Sequence, residues 1–414
     1  MPSGKGVYGD AMCVLLIDLR PDMGPLPGET LFALSPAQER TLLLAKQLGR
    51  AGISAATVCF TGSALAGECE AHGLEFHALK AGISGFSLYL ALRRILSRRT
   101  VRVVHLFGFE ALSQVAWLRR SGLFRFVQTI DENPSALARS QTKALRRVDA
   151  FLTTSGQLAD ELMSRAASGA VWLAPRGKGK GPGVPPLIRS ILPCTLPVRE
   201  KNVFSIFSSV DVPPGHPARQ GAKDGNTGRF LFFASCSSSS GAGLSTLFSA
   251  MARLRVLEEP SPWEVRVTGE LADFASILAE AEDLRTEERL ALLGAQDNDA
   301  LMPLCDAVIS SVDEGGQPDL ILSAWTHSLP VIAPSLPDHE ELDPSGKAFL
   351  RFFPATPVEL AEAMQELMRN REKREKLVAA GKAAAERLSP ESFCAAHLEV
   401  YEDLGAALPS VKRG

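Results

Sequence analysis

A run of serines and glycines between residues 232 and 244, FFASCSSSSGAGL, is the part of this sequence best suited to bind an anion. It begins in the apolar, strand-like run RFLFFAS (229–235) and leads into a helical pattern at GLSTLFSAMARLRVL (243–257). Backbone amides and hydroxyls in such a loop can surround a phosphate, and the positive end of the helix dipole adds to the attraction. The same pattern also fits an ordinary strand-to-helix loop with a serine cap, so both interpretations stay open.

The composition is that of an average globular chain and excludes several classes of protein. The 414 residues are 45% hydrophobic and 22% charged, and 44 basic against 47 acidic residues give a net charge of −3. Such a balance offers no electrostatic case for binding nucleic acid or an anionic membrane. The seven cysteines lie apart, without the spacing of a metal or redox site, and suit reduced thiols. The apolar stretch 11–17 is far shorter than the roughly 20 residues that span a bilayer. We therefore expect a cytoplasmic protein with at most peripheral membrane association.

The first 175 residues alternate short strand patterns with longer helical ones. CVLLIDL (13–19) is a continuous apolar run, which is typical of a strand buried on both faces of a parallel sheet. Ser35 is placed to cap a helix that begins at Pro36. The alternation predicts βαβ units with right-handed crossovers, and hence a doubly wound sheet.

The alternation stops at Arg176 and resumes near residue 228. Residues 176–227 are rich in proline and glycine, and we interpret them as a linker in which only NVFSIFSSV (202–210) could pair as an edge strand. The predicted organisation is α/β: two Rossmann-like, doubly wound parallel-sheet domains, 1–175 and 228–390, with a final helical segment at 391–414. In such folds ligands lie at the carboxyl ends of the strands, and the cleft between two such domains is the expected site.

The order of segments resembles the family-4 glycosyltransferases of the GT-B fold. The stretches that carry the resemblance are VRVVHLFG (101–108), FRFVQTIDENP (124–134), DAFLTTSGQLADELM (149–163), the segment 290–334 from LALLG to VIAP, and the closing segment 357–401. The resemblance implies an acceptor domain in the first half, a nucleotide-sugar donor domain in the second half, and a last helix that returns to the first domain.

In that family an arginine and a lysine near the first donor-domain strand stabilise the charge of the departing diphosphate. Here Ser235 stands where the arginine is expected, and Ser239 or Ser240 where the lysine is expected. The resemblance therefore implies a degenerate donor site, in which Gly241, Gly243 and the serines would hold the phosphates through uncharged donors.

The family also uses two glutamates eight positions apart, and this sequence departs from that pattern. Ser323 takes the place of the second glutamate and Gly315 that of the first. Glu314 or Asp313 could serve as the first glutamate only if the alignment shifts by one residue at Gly315 and Gly316. A serine offers a ribose hydroxyl one hydrogen bond rather than the paired acceptors of a carboxylate. The alternative is that Asp313 and Glu314 occupy an exposed loop without a role.

Two further positions follow from the resemblance. His105 lies near the end of the strand where the family keeps an acceptor-side histidine, although a buried histidine with satisfied hydrogen bonds is the commoner outcome for such a position. Glu340, with Glu341 as second choice, lies where the family places an acidic residue against the donor.

The resemblance implies a retaining glycosyltransferase that needs neither metal nor cofactor. It would transfer a hexose from a nucleotide-sugar to a saccharide or lipid-linked acceptor, with Glu314 and His105 as catalytic residues. The alternative is a catalytically lapsed relative that binds a partner in glycan biosynthesis.

Overall fold

The computed structural model describes residues 14–25, 32–98, 100–119, 124–130, 144–154, 159–160, 162, 164, 187–190, 229–236, 242–257, 262–269, 274–294, 298–312 and 318–405. The chain divides into two compact units. The first comprises Met1–Gly24, Leu31–Cys194 and Pro390–Gly414, and the second comprises Pro25–Thr30 and Thr195–Ser389.

A parallel seven-stranded sheet forms the centre of the first unit. Its spatial order is β5-β4-β1-β6-β7-β8-β9. The strands are β1 (Val14–Asp18), β4 (Ala55–Phe60), β5 (Phe76–Leu79), β6 (Val103–Phe107), β7 (Arg125–Ile130), β8 (Ala150–Thr153) and β9 (Leu187–Ser190). All residues of β1 and β6 are buried, as their apolar sequences predict for strands covered on both faces. Two short strands, β2 (Met23–Pro25) and β3 (Phe32–Ala33), pair separately.

The helices described in the first unit are α1 (Pro36–Arg50), α2 (Ala64–Ala71), α3 (Gly85–Ser97), α4 (Leu112–Leu118) and, from the end of the chain, α12 (Pro390–Asp403). Ser35 caps α1 in a complete capping box with Gln38, so the predicted start of this helix is confirmed. Gln47 on α1 donates to Glu391 on α12 at 3.2 Å. The last helix is thus part of the first unit.

A parallel six-stranded sheet forms the second unit, in the order β12-β11-β10-β13-β14-β15. The strands are β10 (Phe230–Cys236), β11 (Trp263–Gly269), β12 (Leu290–Gly294), β13 (Ala307–Ile309), β14 (Val331–Pro334) and β15 (Leu350–Phe352). Alternate residues of β10 enter different apolar clusters, since Phe232 lies in one and Phe233 in the other. The sheet is therefore packed on both faces.

The helices described in the second unit are α5 (Ala242–Val256), α6 (Phe274–Asp283), α7 (Asn298–Leu301), α8 (Pro318–Thr326), α9 (Pro337–Leu342), α10 (Pro357–Arg369) and α11 (Arg371–Arg387). Trp325 on α8 is 1% exposed and donates its indole N–H to the Ala348 carbonyl at 3.1 Å. Its ring lies so close to α11 that a Cβ at Gly381 would come within 2.5 Å of Trp325 Cδ1. Trp325 is therefore packed in the core of the second unit.

One boundary differs from the prediction. Leu187–Ser190, inside the segment interpreted as a linker, forms β9 and pairs with Ala150–Thr153 of β8. A four-residue edge strand among prolines carries too short an apolar pattern to be recognised, and its parallel partner lies far away in sequence. The first unit consequently extends beyond residue 175. The predicted edge strand at 202–210 lies outside the described residues.

None of the helices in the described part of the chain combines the length and the apolar composition that crossing a bilayer requires.

Candidate functional site

The strand order of the second sheet identifies where a ligand would approach this unit. Successive connections run outward from β10 in both directions, to β11 and β12 on one side and to β13, β14 and β15 on the other. In such sheets ligands bind beyond the carboxyl ends of the strands, at the point where the order reverses. Here that point lies between β10 and β13.

Gly243 brings the start of α5 into direct contact with this point. A Cβ at this position would overlap the carbonyl oxygen of Ser311 and lie 2.5 Å from its carbonyl carbon and 2.9 Å from Val312 Cα. Ser311 and Val312 follow β13, so the first turn of α5 packs on the backbone leaving the neighbouring strand. Only glycine permits this approach, which gives Gly243 a packing role at the predicted anion-binding turn.

A small polar network joins the ends of β10 and β11. Ser235 and Thr268 face each other in the parallel register, and Asn298 at the start of α7 bridges them. The Asn298 amide donates to Ser235 Oγ at 3.2 Å and accepts from Thr268 Oγ1 at 2.7 Å. Ser235 is thus placed at the predicted edge of the sheet, half-buried and held by its neighbours.

Ser323 lies beside a carboxylate that the sequence did not indicate. Its hydroxyl donates to Asp299 Oδ1 and contacts Met302 Sδ at 3.4 Å. His327 is nearby as well, with its Nε2 3.4 Å from the same carboxylate oxygen. The position that lacks a glutamate therefore has a carboxylate next to it, supplied by α7.

Glu340 lies on the short helix α9 and is half exposed. Its carboxylate is 3.8 Å from Arg351 Nη1, on β15 of the same unit. Glu341 is partly buried on the same helix. The remaining predicted site residues of this unit lie outside the described residues: Ser239, Ser240, Gly241, Glu314 and Gly316.

His105 lies in the core of the first unit. The side chain is completely buried, its Nδ1 is 2.6 Å from the Tyr401 hydroxyl, and its Nε2 is 2.7 Å from Thr129 Oγ1. Burial, followed by the nearby His397 and Arg20, lowers the pKa of His105 well below its ordinary value. Both nitrogens have partners and the ring is neutral at pH 7. This geometry fits the alternative interpretation, a core histidine, and does not support the expected catalytic role.

The first sheet has its own point of reversal, between β1 and β6, and an ion pair is buried there. Asp18 at the end of β1 accepts from Arg20 Nε at 2.9 Å and from Thr41 Oγ1 at 2.8 Å. The side chain of Arg20 lies against Gly108, where a Cβ would come within 2.9 Å of Arg20 Cγ. The carboxylate of Asp18 is therefore paired within this unit.

Sequence reasoning missed Thr268, Asn298, Asp299, Asp18 and Arg20. Thr268, Asp18 and Arg20 lie at or just beyond the carboxyl end of a strand, and Asn298 and Asp299 begin the helix that follows β12. Position after a strand is the signal that could have found them. Within the described ranges, no three His, Cys, Asp or Glu side chains come together in a way that would hold a metal ion.

Comparison with known proteins places this architecture in context. Residues 227–370 match the family model of glycosyl transferases group 1. The search of curated proteins found no match.

Solved structures resemble the whole chain. A glycosyltransferase from Rickettsia africae is 13% identical with a TM-score of 0.67, over 96% of this chain and 99% of its own. The Anabaena protein Alr3699/HepE, in complex with UDP and glucose, is 16% identical with a TM-score of 0.68, over 95% and 100%. Sucrose-phosphate synthase from Thermosynechococcus elongatus is 15% identical with a TM-score of 0.62, over 96% and 100%. The predicted fold class, GT-B with two Rossmann-like units, is confirmed, and the family resemblance is confirmed over residues 227–370.

Proposed function

We propose that this chain, whose second unit carries the match to glycosyl transferases group 1, transfers a hexose from a nucleotide-sugar to a saccharide or lipid-linked acceptor. The transfer would retain the anomeric configuration and need no metal ion. The observation that carries the proposal is the glycine-dependent contact of α5 with the chain leaving β13, at the point of strand reversal, inside the matched segment.

The departing diphosphate would be stabilised by uncharged donors. No arginine or lysine occurs between residues 232 and 244. The first amides of α5 are free of intrahelical partners by geometry, and together with the helix dipole they favour a negative charge at this end. The diphosphate itself can take the proton of the acceptor hydroxyl, so the reaction needs no strong base from the protein.

The ribose would be held by the pair formed by Asp299 and Ser323. The carboxylate can accept from two hydroxyls, whereas the serine alone provides a single acceptor. The hydrogen bond from Ser323 orients Asp299, and His327 Nε2 lies 3.4 Å from the same carboxylate oxygen. In this proposal α7 supplies the carboxylate that is missing at position 323.

Uridine nucleotides are the first ligands to test. The similar Anabaena protein has been solved with UDP, with UDP and glucose, and with UDP-glucose. The choice for the present chain rests on that likeness of fold together with the family match.

A catalytically lapsed binding protein is the second candidate function. The observation that favours it is the serine at position 235 and the serines that follow, where the family keeps cations. Each lost charged contact to a transition state costs about 3 kcal/mol in well-studied enzymes, so losing two lowers the rate severely. Nucleotide binding without turnover would support this second candidate.

Calorimetric titration of the full chain with UDP, GDP and ADP and their glucose derivatives tests the proposal. We expect binding of at least one nucleotide and slow hydrolysis of its sugar derivative. Asp299→Asn is expected to weaken binding about tenfold or more, because hydrogen bonds to a charged acceptor contribute about 1.5 to 3 kcal/mol.

Glu362→Gln, on an exposed turn of α10, is the matched control and should bind as the unaltered chain does. Glu314→Ala and Glu340→Ala complete the set and test the two positions taken from the family pattern. Absence of binding by every nucleotide would refute the glycosyltransferase proposal. Binding unchanged in Asp299→Asn would refute the assignment of the ribose site only.

A further inference from the structure

The first unit has a cluster of exposed apolar side chains on neighbouring helices. Phe86 and Leu90 on α3 are 68% and 45% exposed, and Trp117 on α4 is 57% exposed. Tyr89 joins them, because its ring stacks on Phe86 at 5.8 Å and meets Trp117 edge-on at 5.9 Å. We call these four residues the aromatic patch. A groove of about 220 Å³ runs along it, bordered by Ser113 and Gln114.

A concentration of positive charge adjoins the aromatic patch. Between Glu75 and Glu110 the sequence contains no acidic residue and six basic ones: Lys80, Arg93, Arg94, Arg98, Arg99 and Arg102. Arg93 and Arg94 on α3 and Arg98 at its end are exposed, and no described carboxylate forms an ion pair with any of the three. A chain with a net charge of −3 therefore contains a strongly basic segment.

The geometry of α3 combines the two features on its outward side. Phe86, Leu90 and Arg93 follow one another at intervals of four and three residues, so they lie on one stripe of the helix. The opposite side of α3 is anchored in the core by Leu88 and Leu92, which are 2% and 0% exposed. The outward stripe thus begins with apolar residues and ends with arginines.

We propose that the aromatic patch and the adjoining arginines dock this chain on a membrane surface containing anionic phospholipid. Aromatic and aliphatic side chains enter the boundary between headgroups and acyl chains, while neighbouring arginines bind the phosphates. Each exposed ring alone would be unremarkable on a soluble protein. Their combination with exposed arginines that pair with no described carboxylate, in a stretch without acidic residues between Glu75 and Glu110, favours a lipid interface over an acidic protein, because the rim of a protein–protein interface is mainly polar.

The nearly balanced charge of the whole chain does not reveal this local basic segment, which is why the composition gave no indication of binding to an anionic membrane. Attraction at a surface acts over about one Debye length, so the charges nearest the lipid matter more than the sum over the chain. The inference does not depend on the proposed function, because it concerns helices remote in sequence from the matched segment.

Flotation of the full chain with lipid vesicles tests the inference. We expect binding to phosphatidylcholine vesicles containing roughly 30% phosphatidylglycerol, weak binding to phosphatidylcholine alone, and loss of binding in roughly 0.5 M salt. The double variants Phe86→Ser with Trp117→Ser, and Arg93→Gln with Arg94→Gln, should each reduce the bound fraction about tenfold or more.

Phe353→Ser is the matched control, since Phe353 is also 68% exposed but belongs to the second unit. It should bind vesicles as the unaltered chain does, and all variants should keep the circular dichroism spectrum and melting temperature. No binding to anionic vesicles, or an equal loss in Phe353→Ser, would overturn the inference. Binding to poly-glutamate but not to vesicles, dependent on Arg93 and Arg94, would overturn it in favour of an acidic protein partner.

Discussion

Replacement of Gly243 by alanine probes the contact on which the candidate site is built. The new methyl group would lie 2.5 Å from the carbonyl carbon of Ser311, whereas carbon atoms in contact are separated by about 3.5 Å. The backbone of α5 must therefore move away from the chain leaving β13 by more than 1 Å, because the carbonyl oxygen of Ser311 lies closer still. Because the obstacle is backbone on both sides, no side-chain rotation can relieve the overlap.

The expected cost is about 1 to 3 kcal/mol of the unfolding free energy of the second unit, which is the usual range for overpacking. The displacement also withdraws the first amides of α5 from the point of strand reversal, so UDP binding should weaken together with stability. Denaturant unfolding followed by tryptophan fluorescence measures the first effect, since Trp263 and Trp325 are buried in this unit. Calorimetric titration with UDP measures the second.

Gly67→Ala is the control. Gly67 lies within helix α2 of the first unit, and a Cβ there would meet nothing within 4 Å. This substitution should therefore stabilise the protein by up to about 1 kcal/mol, since alanine is the better helix former. Equal stability of Gly243→Ala and the unaltered chain, with unchanged UDP binding, would refute the close approach of α5.

Two further predictions concern the buried histidines of the first unit. Burial lowers the pKa of His397 from 6.5 to about 4, so between these values the unfolded chain binds a proton that the folded chain does not. The contribution of His397 to the free energy of unfolding is therefore fully present above pH 6.5 and is lost on acidification, by roughly 3 kcal/mol at pH 4. The loss of stability should be smaller in His397→Gln when unfolding is measured at pH 7, 5.5 and 4.5. Tyr401→Phe leaves His105 Nδ1 without its hydroxyl partner. It should lower the free energy of unfolding, measured with denaturant at pH 7, by about 1 to 3 kcal/mol. The control Tyr89→Phe should change this free energy little. An identical pH dependence in His397→Gln, or equal costs for the two tyrosine variants, would contradict these assignments.

Much of the fold could be predicted from local patterns. The apolar run of β1 and the cap at Ser35 each depend on residues close together in the chain, and the structure confirms both. The edge strand β9 could not be predicted, because four residues between prolines form a strand only when β8 provides the hydrogen-bond partners.

The candidate site was less predictable than the fold. Its location followed from the alternation of strands and helices, since parallel strands end at a common edge. The pairing of Ser323 with Asp299 did not follow, because the two residues are on different helices and 24 positions apart. His105 illustrates the reverse case, in which a suggestive position proved to be enclosed by Tyr401 and Thr129.

The sequence by itself determined the two α/β units, their parallel sheets and the serine and glycine turn that follows β10, because periodicity and turn chemistry act over short distances. The tertiary structure alone decided which carboxylate lies beside Ser323, that His105 is buried and neutral, and that Gly243 must lack a side chain. These properties depend on which distant segments are brought into contact and on how completely water is excluded. Neither is encoded in the spacing of neighbouring residues.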